Sequence, residues 1–262
     1  MLKAGQYGGI IGNDFAGTVE ELGPDVPAGV RTVGERVGGF VLGSQSSLET
    51  QLVDLVLSPV PAASANGAFA EYVVAEAEYG VIPVPEGWTI EEAAQLGVAP
   101  YTALQTLHET LELPSPFEAR SGPQRSILIW GGASSVGQYA IQFAKLGGLR
   151  VITTASPKNF EFVKGLGADE VFDYHDEKVV ENIRVTTGNA LDIAVDTVSE
   201  GKTPEQVAGA IGDKGGRVTI ILPYKSPRPD VKVKFSMAPN LLKRVRANSR
   251  LLDPALLMGF YF

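Results

Sequence analysis

The sequence predicts an α/β protein, a small irregular β domain followed by a doubly wound parallel-sheet domain, on three observations. From Ser126 onward, five short β-rich runs are separated by four runs with helical spacing. A glycine-rich turn joins the first of those strands directly to its helix. Before about Val98 the chain is instead rich in glycine and short β-type runs divided by turn residues.

In chain order, β-type runs at residues 15–20, 36–42 and 69–74 build the first domain, residues 1–98. Within it, residues 44–66 shift to serine, alanine and proline around an apolar stretch without a clear period, and read as a loop insertion. Between Ile90 and Leu111 the apolar spacing is helical but interrupted by Gly97 and Pro100, which predicts two short helices meeting at a domain junction. The second domain, residues 99–222, carries strands at 126–130, 150–154, 170–173, 192–195 and 217–222. Helices at 135–146, 159–166, 179–187 and 204–211 alternate with them, the pattern of a parallel sheet covered on both faces. Residues 223–262 form an atypical C-terminal segment, in which 231–239 is strand-like and suited to an exposed edge.

Composition narrows the ligand. With 262 residues and 44% apolar content the chain can bury one large or two modest cores. Its formal charge of -8, without a basic stripe, argues against nucleic acid and anionic membrane as partners and leaves a small molecule. No cysteine is present, so thiolate nucleophiles and sulfur-ligated zinc are excluded, and two histidines, His108 and His175, do not make a histidine-rich metal site. Without a signal-peptide pattern or a spanning apolar run, the expectation is a soluble, cytoplasmic protein.

The chemistry concentrates at Gly131-Gly132-Ala133-Ser134-Ser135-Val136-Gly137. Small residues between a strand and a helix let the backbone approach a pyrophosphate, and the helix start aims unpaired N–H groups and a positive dipole end at it. Ser134 stands where the usual G-x-G-x-x-G pattern has its middle glycine, so the strand–helix units around the turn carry the argument for a Rossmann domain more than the motif does. A carboxylate at the end of the second strand would hold the ribose hydroxyls of NAD; here the chain reads Ser156-Pro157-Lys158-Asn159. Lys158 can neutralise a 2′-phosphate and Ser156 can donate to it, which predicts NADPH as the cofactor; otherwise Lys158 is a solvated lysine of a first helical turn. Tyr174, ending the third strand, either covers the adenosine or is an ordinary strand-end aromatic.

These residues also have a family likeness. Gly12-Asn13-Asp14-Phe15-Ala16-Gly17 with Gly34-Glu35-Arg36-Val37, then Gly67-Ala68-Phe69-Ala70-Glu71-Tyr72-Val73, the glycine-rich turn, and Leu166-Gly167-Ala168-Asp169 resemble, in order and spacing, the medium-chain dehydrogenase/reductase superfamily. Ser156-Pro157-Lys158-Asn159 with Val171-Phe172-Asp173-Tyr174 is most similar to its zinc-independent fungal branch, the trans-acting enoyl reductases that partner polyketide synthases, and to quinone-reductase-like relatives. The resemblance implies an incomplete GroES-like β domain packed on the Rossmann domain, with the nicotinamide in the cleft between them. It places Ala133 to Val136 on the pyrophosphate, Ser156, Pro157, Lys158, Asn159 and Tyr174 on the adenosine 2′-phosphate, and Ile221 with Leu222 on the nicotinamide side. It also implies hydride transfer from NADPH to an activated alkene, on a small or carrier-bound enoyl substrate, or to a quinone, with no metal.

Family members begin some tens of residues earlier and continue past Phe262, residues 44–66 are longer than their loop, and residues 251–262 have no counterpart in them; the expectation is a shortened or mispredicted gene product with a retained non-coding insertion. Tyr101 and Thr102, at the break between the two helices, are candidates for lining the substrate site, or else packing and capping residues. Asp14 either keeps a family role or caps a turn, and His108 reads as a surface or helix-end residue. A nucleotide-binding protein without catalysis is the competing expectation.

Overall fold

The computed structural model describes residues 10–41, 67–78, 80–114 and 123–236. The proposed insertion at 44–66 and the segment 251–262 lie outside them. The chain divides into two compact units, one reaching to Val98 and the other beginning at Ala99.

In the first unit, β1 (Asp14–Thr18), β2 (Arg36–Phe40) and β3 (Val81–Pro83) pair antiparallel in that order. Glycine allows the close packing: a Cβ on Gly39 would lie 2.9 Å from Val81 Cα, and one on Gly38 would lie 2.7 Å from the Ala93 carbonyl of α1 (Ile90–Ala93). Thr89 starts α1 with a reciprocal capping box, its Oγ1 accepting from Glu92 N at 3.1 Å while Glu92 Oε2 accepts from Thr89 N at 2.8 Å. The third strand is not the expected 69–74. That segment bends and is non-repetitive, with Phe69, Tyr72 and Val74 exposed. Its β-type residues Phe69, Tyr72, Val73 and Val74 read as a strand, whereas among the described residues Val81–Pro83 is the third strand, its proline tolerated at the sheet's edge.

The helix α2 (Val98–Leu104) continues into a π-helical segment, Gln105–Thr110. Pro100 does not interrupt it. It occupies the first turn, where the missing N–H would have had no intrahelical partner, so the break falls before Val98. Asp14 Oδ1 accepts the Val98 N–H at 2.6 Å, which makes it the cap at this start.

The second unit is a six-stranded parallel sheet, ordered β6-β5-β4-β7-β8-β9, with β4 (Ser126–Trp130), β5 (Arg150–Ala155), β6 (Glu170–Asp173), β7 (Ile193–Asp196), β8 (Gly216–Ile220) and β9 (Val231–Phe235). Ile127, Leu128 and Ile129 have no exposed surface, because β4 is paired on both edges and covered on both faces. The crossovers are α3 (Ser135–Leu146), α4 (Phe160–Gly165), α5 (Val179–Thr186) and α6 (Thr203–Ala210). Ile141 and Phe143 of α3 are wholly buried, and Tyr139 stacks on Phe143 at 6.3 Å between ring centroids. The strand-like run after residue 222 is the sixth strand of this sheet: Val231–Phe235 pairs in parallel with β8 as its edge strand. Arg228 secures that addition, donating to the carbonyls of Ala208 at 3.0 Å, Ile211 at 2.6 Å and Gly212 at 3.0 Å, which closes the C-terminal end of α6. No helix among the described residues is long and apolar enough to cross a membrane.

Candidate functional site

Numbered within this sheet the strand order is 3-2-1-4-5-6, so the chain leaves β4 in one direction and returns at β7 on its other side. Loops diverge at the carboxyl ends of those neighbours and open a crevice there.

Gly131, at φ +84°, turns the chain out of β4, a conformation costly for any side chain. Its N–H donates to Thr154 Oγ1 at 3.0 Å and the Gly132 N–H to the Thr154 carbonyl at 2.9 Å, so the turn is stitched to β5. A Cβ on Gly132 would come within 2.8 Å of Ile141 Cδ1, and one on Gly137 within 2.9 Å of Gly132 Cα. Both glycines therefore let helix, turn and sheet close on one another.

Ser134 is the N-cap of α3: its Oγ accepts the Gly137 N–H at 3.0 Å. The cap leaves the N–H groups of Ser135 and Val136, the first two helical residues, at the open end. Ser134 Oγ also lies 2.8 Å from Thr197 Oγ1. Thr197 directs its own proton at the carbonyls of Trp130 at 2.7 Å and Gly131 at 3.0 Å, so the proton between the two hydroxyls belongs to Ser134. The serine side chain is thus engaged by the fold, and the backbone amides are the groups offered outward.

Beyond β5, Pro157 opens a short 3-10 turn, Pro157–Asn159, in which Asn159 N donates to the Ser156 carbonyl at 2.9 Å and Asn159 Nδ2 to Ser156 Oγ at 3.2 Å. Lys158 is exposed, and no carboxylate pairs with it among the described residues. At the end of β6, Asp173 accepts from the His175 N–H at 3.0 Å and from His175 Nδ1 at 2.8 Å; these bonds hold its carboxyl below the usual range. Tyr174, half exposed, lies with its ring centroid 4.0 Å from that of His175.

These loops enclose a cleft of about 620 Å³. Ala133, Ser134, Ser156, Asn159 and Tyr174 line it, as does Trp130 at the end of β4. Gly132 and Gly137 are buried behind it, Ser135 and Val136 begin α3, and Pro157 and Lys158 are exposed beside it without lining it. Ile221 and Leu222 follow β8 and are not part of this cleft; Tyr101 and Thr102 are buried, at 1% and 6% exposure, and do not line it either. The opposite wall, Val198, Lys202, Thr203 and Gln206, was not among the residues expected from sequence. The signal was available: once the first and fourth strands are neighbours, the segment after the fourth must face the phosphate turn.

A volume of this size, a turn of small residues and a helix start at one end fit a dinucleotide's adenosine and diphosphate. Among the described residues no group of three or more His, Asp or Glu side chains is placed to hold a metal ion.

Comparison with known proteins agrees with this geometry. Residues 2–86 match the alcohol dehydrogenase GroES-like domain, and residues 135–251 match the zinc-binding dehydrogenase family. The trans-enoyl reductase ACTTS2 of Alternaria alternata is 41% identical over 227 residues, which is 86% of this chain and 61% of that protein. The trans-enoyl reductase thnE of Trichoderma harzianum is 40% identical over 223 residues, 83% of this chain and 56% of that one. The chain thus spans about three fifths of the length of these relatives. Among solved structures, the CurK enoyl reductase superposes with a TM-score of 0.66 at 23% identity, covering 91% of this chain and 63% of its own, a likeness of fold. An NAD-dependent alcohol dehydrogenase reaches a TM-score of 0.68 at 27% identity over 91% of this chain and 71% of its own. The fold order, the phosphate turn and these likenesses converge on one assignment: the chain belongs to the medium-chain dehydrogenase/reductase superfamily.

Proposed function

We propose that this protein is an NADPH-dependent reductase that transfers hydride to an activated carbon–carbon double bond, acting in trans on an enoyl substrate carried by a polyketide synthase. The observation that carries the reading is the cleft at the β4–β7 crevice, which joins an amide-lined turn to a β5 exit without a carboxylate. Identity of 41% to a trans-enoyl reductase supports the reaction class.

In this reading the N–H groups of Ser135 and Val136 hold the diphosphate, with Gly132, Ala133, Ser134 and Gly137 shaping its seat. Ser156, Pro157 and Asn159 form the rim that meets the adenosine ribose, Lys158 neutralises its 2′-phosphate, and Tyr174 covers the base. Two of the acids at this rim, which also carries Glu177, are engaged in hydrogen bonds. Asp173 is bonded to His175, and Asp176 accepts from Lys178 N at 2.9 Å and Asn182 Nδ2 at 3.1 Å. Ile221 and Leu222 flank the nicotinamide. Bound NADPH supplies the hydride, and the protein supplies position and exclusion of water.

The test is NADPH consumption, followed by absorbance, with a crotonyl thioester and with a simple quinone as acceptors. The proposal expects turnover with the thioester. Turnover with the quinone alone, or tight NADPH binding with no turnover on either, overturns it in favour of a quinone reductase or a non-catalytic binder.

A further inference from the structure

Asp196, the last residue of β7, has no exposed surface, yet it is a carboxylate. In the sheet it sits between Trp130, which leads into the phosphate turn, and Ile220, which leads into Ile221 and Leu222. All of its oxygens are occupied. Oδ1 accepts from Val198 N at 3.0 Å and Ser199 N at 2.8 Å, Oδ2 accepts from the Tyr224 hydroxyl at 3.1 Å, and the backbone carbonyl accepts from Ser199 Oγ at 2.8 Å. Ser199 Oγ in turn accepts the Ile221 N–H at 3.0 Å.

The consequence is a continuous set of bonds between the phosphate turn and the chain that leaves β8. On one side Thr197, next in sequence, bonds the phosphate turn through Trp130, Gly131 and Ser134. On the other, Ser199 and Tyr224 hold the chain that leaves β8. Ser199 is held at φ +59°, an uncommon conformation for serine, and the two N–H bonds to Asp196 over-determine it. Burial, then the neighbouring Asp196 charge, pushes the Tyr224 hydroxyl far above the usual range, so it remains a proton donor at any working pH.

We propose that Asp196 and Tyr224 are a positioning pair that fixes the β8 exit against the phosphate turn, and that the bond between them places the nicotinamide half of the cofactor rather than the adenosine half. This rests on the cofactor reading above. A carboxylate suits the task because its two oxygens take backbone donors from one loop and a hydroxyl from another at the same time.

The test compares Tyr224→Phe, which keeps the ring that packs on the core and removes only the hydroxyl, with Asp196→Asn. Dissociation constants are measured for NADPH and for 2′,5′-ADP, which fills the adenosine side alone, together with kcat and KM. Loss of one hydrogen bond to a buried charge should weaken NADPH by about tenfold in Tyr224→Phe. Binding of 2′,5′-ADP should stay within about twofold, since the broken hydrogen bond acts on the far side of the diphosphate. Asp196→Asn, which also disturbs Val198 in the cleft wall, should weaken both ligands, NADPH by the larger factor. Equal weakening of both ligands, or no change in either, overturns the pair's role while leaving the cofactor site standing. Failure of the unaltered protein to bind either ligand overturns the cofactor reading itself, and the pair with it.

Discussion

Replacing Thr197 with valine tests whether one hydroxyl ties the phosphate turn to β7. Valine keeps the branching at Cβ and nearly the same volume, so the change falls mainly on the hydroxyl's hydrogen bonds. The lost hydroxyl gives its proton to Trp130 O at 2.7 Å and Gly131 O at 3.0 Å and accepts that of Ser134 at 2.8 Å. Neither carbonyl is orphaned: Trp130 O keeps the Thr197 N–H at 3.1 Å, and Gly131 O keeps the Ser134 N–H at 2.9 Å. Ser134 borders the cleft, so its freed proton can find water. The cost is therefore about 1–2 kcal/mol, one buried bond and a partly solvated second, rather than the sum of three. Chemical denaturation should show that loss, with a melting point lowered by roughly 3–6 °C. NADPH affinity should fall by about three- to tenfold, because the turn that pre-positions the Ser135 and Val136 amides is loosened. An unchanged melting point together with unchanged affinity would refute the bridge.

Three other outcomes follow from the same geometry. Gly132→Ala should destabilise by about 1–3 kcal/mol and abolish NADPH binding in titration, because the new Cβ meets Ile141 and Thr153 Oγ1, itself tied to Ile129 O at 2.6 Å. For Asp169, desolvation raises the carboxyl, but bonds from Lys145 Nζ and Val151 N and the Arg150 charge outweigh it and leave it below 3.8. Its stabilisation is thus complete above that value and lost as pH falls through the lower folded-state pKa, so Asp169→Asn should flatten the acid limb of a stability–pH profile. For Asp14, desolvation outweighs the Val98 bond and raises the carboxyl above 3.8. Its titration favours folding most below that value, and the advantage fades as pH rises through the folded-state pKa. At neutral pH Asp14→Asn, which can still accept from Val98, should be near neutral by urea denaturation, while Asp14→Ala should cost about 1 kcal/mol.

What the sequence made legible was whatever rests on local pattern. β4 reads as a continuous apolar run because it is buried on both faces, and α3 follows at helical spacing with a serine cap ahead of it. Ser156, Asn159 and Tyr174 were reachable because they follow strands whose ends are marked in the sequence. What depends on pairing between distant segments was not legible. Val81–Pro83 becomes a strand because β2 lies beside it, whereas residues 69–74, with better strand chemistry, bend instead. The Val198–Gln206 wall, and the use of Asp196, follow from β7 lying next to β4, a strand order that no local period encodes. Pro100 misled for the opposite reason: its effect depends on position in the helix, and in a first turn it is neutral.

The central claim is that the β4–β7 crevice takes a dinucleotide and that Lys158 answers its 2′-phosphate. Trp130, 2% exposed and bordering the cleft, gives a direct probe by fluorescence quenching. Titration of the protein and of Lys158→Ala with NADPH and NADH should show NADPH bound more tightly by at least about tenfold, and that preference lost in the variant with NADH affinity unchanged. Equal affinity for both coenzymes in the unaltered protein, or a preference that survives removal of Lys158, would contradict it.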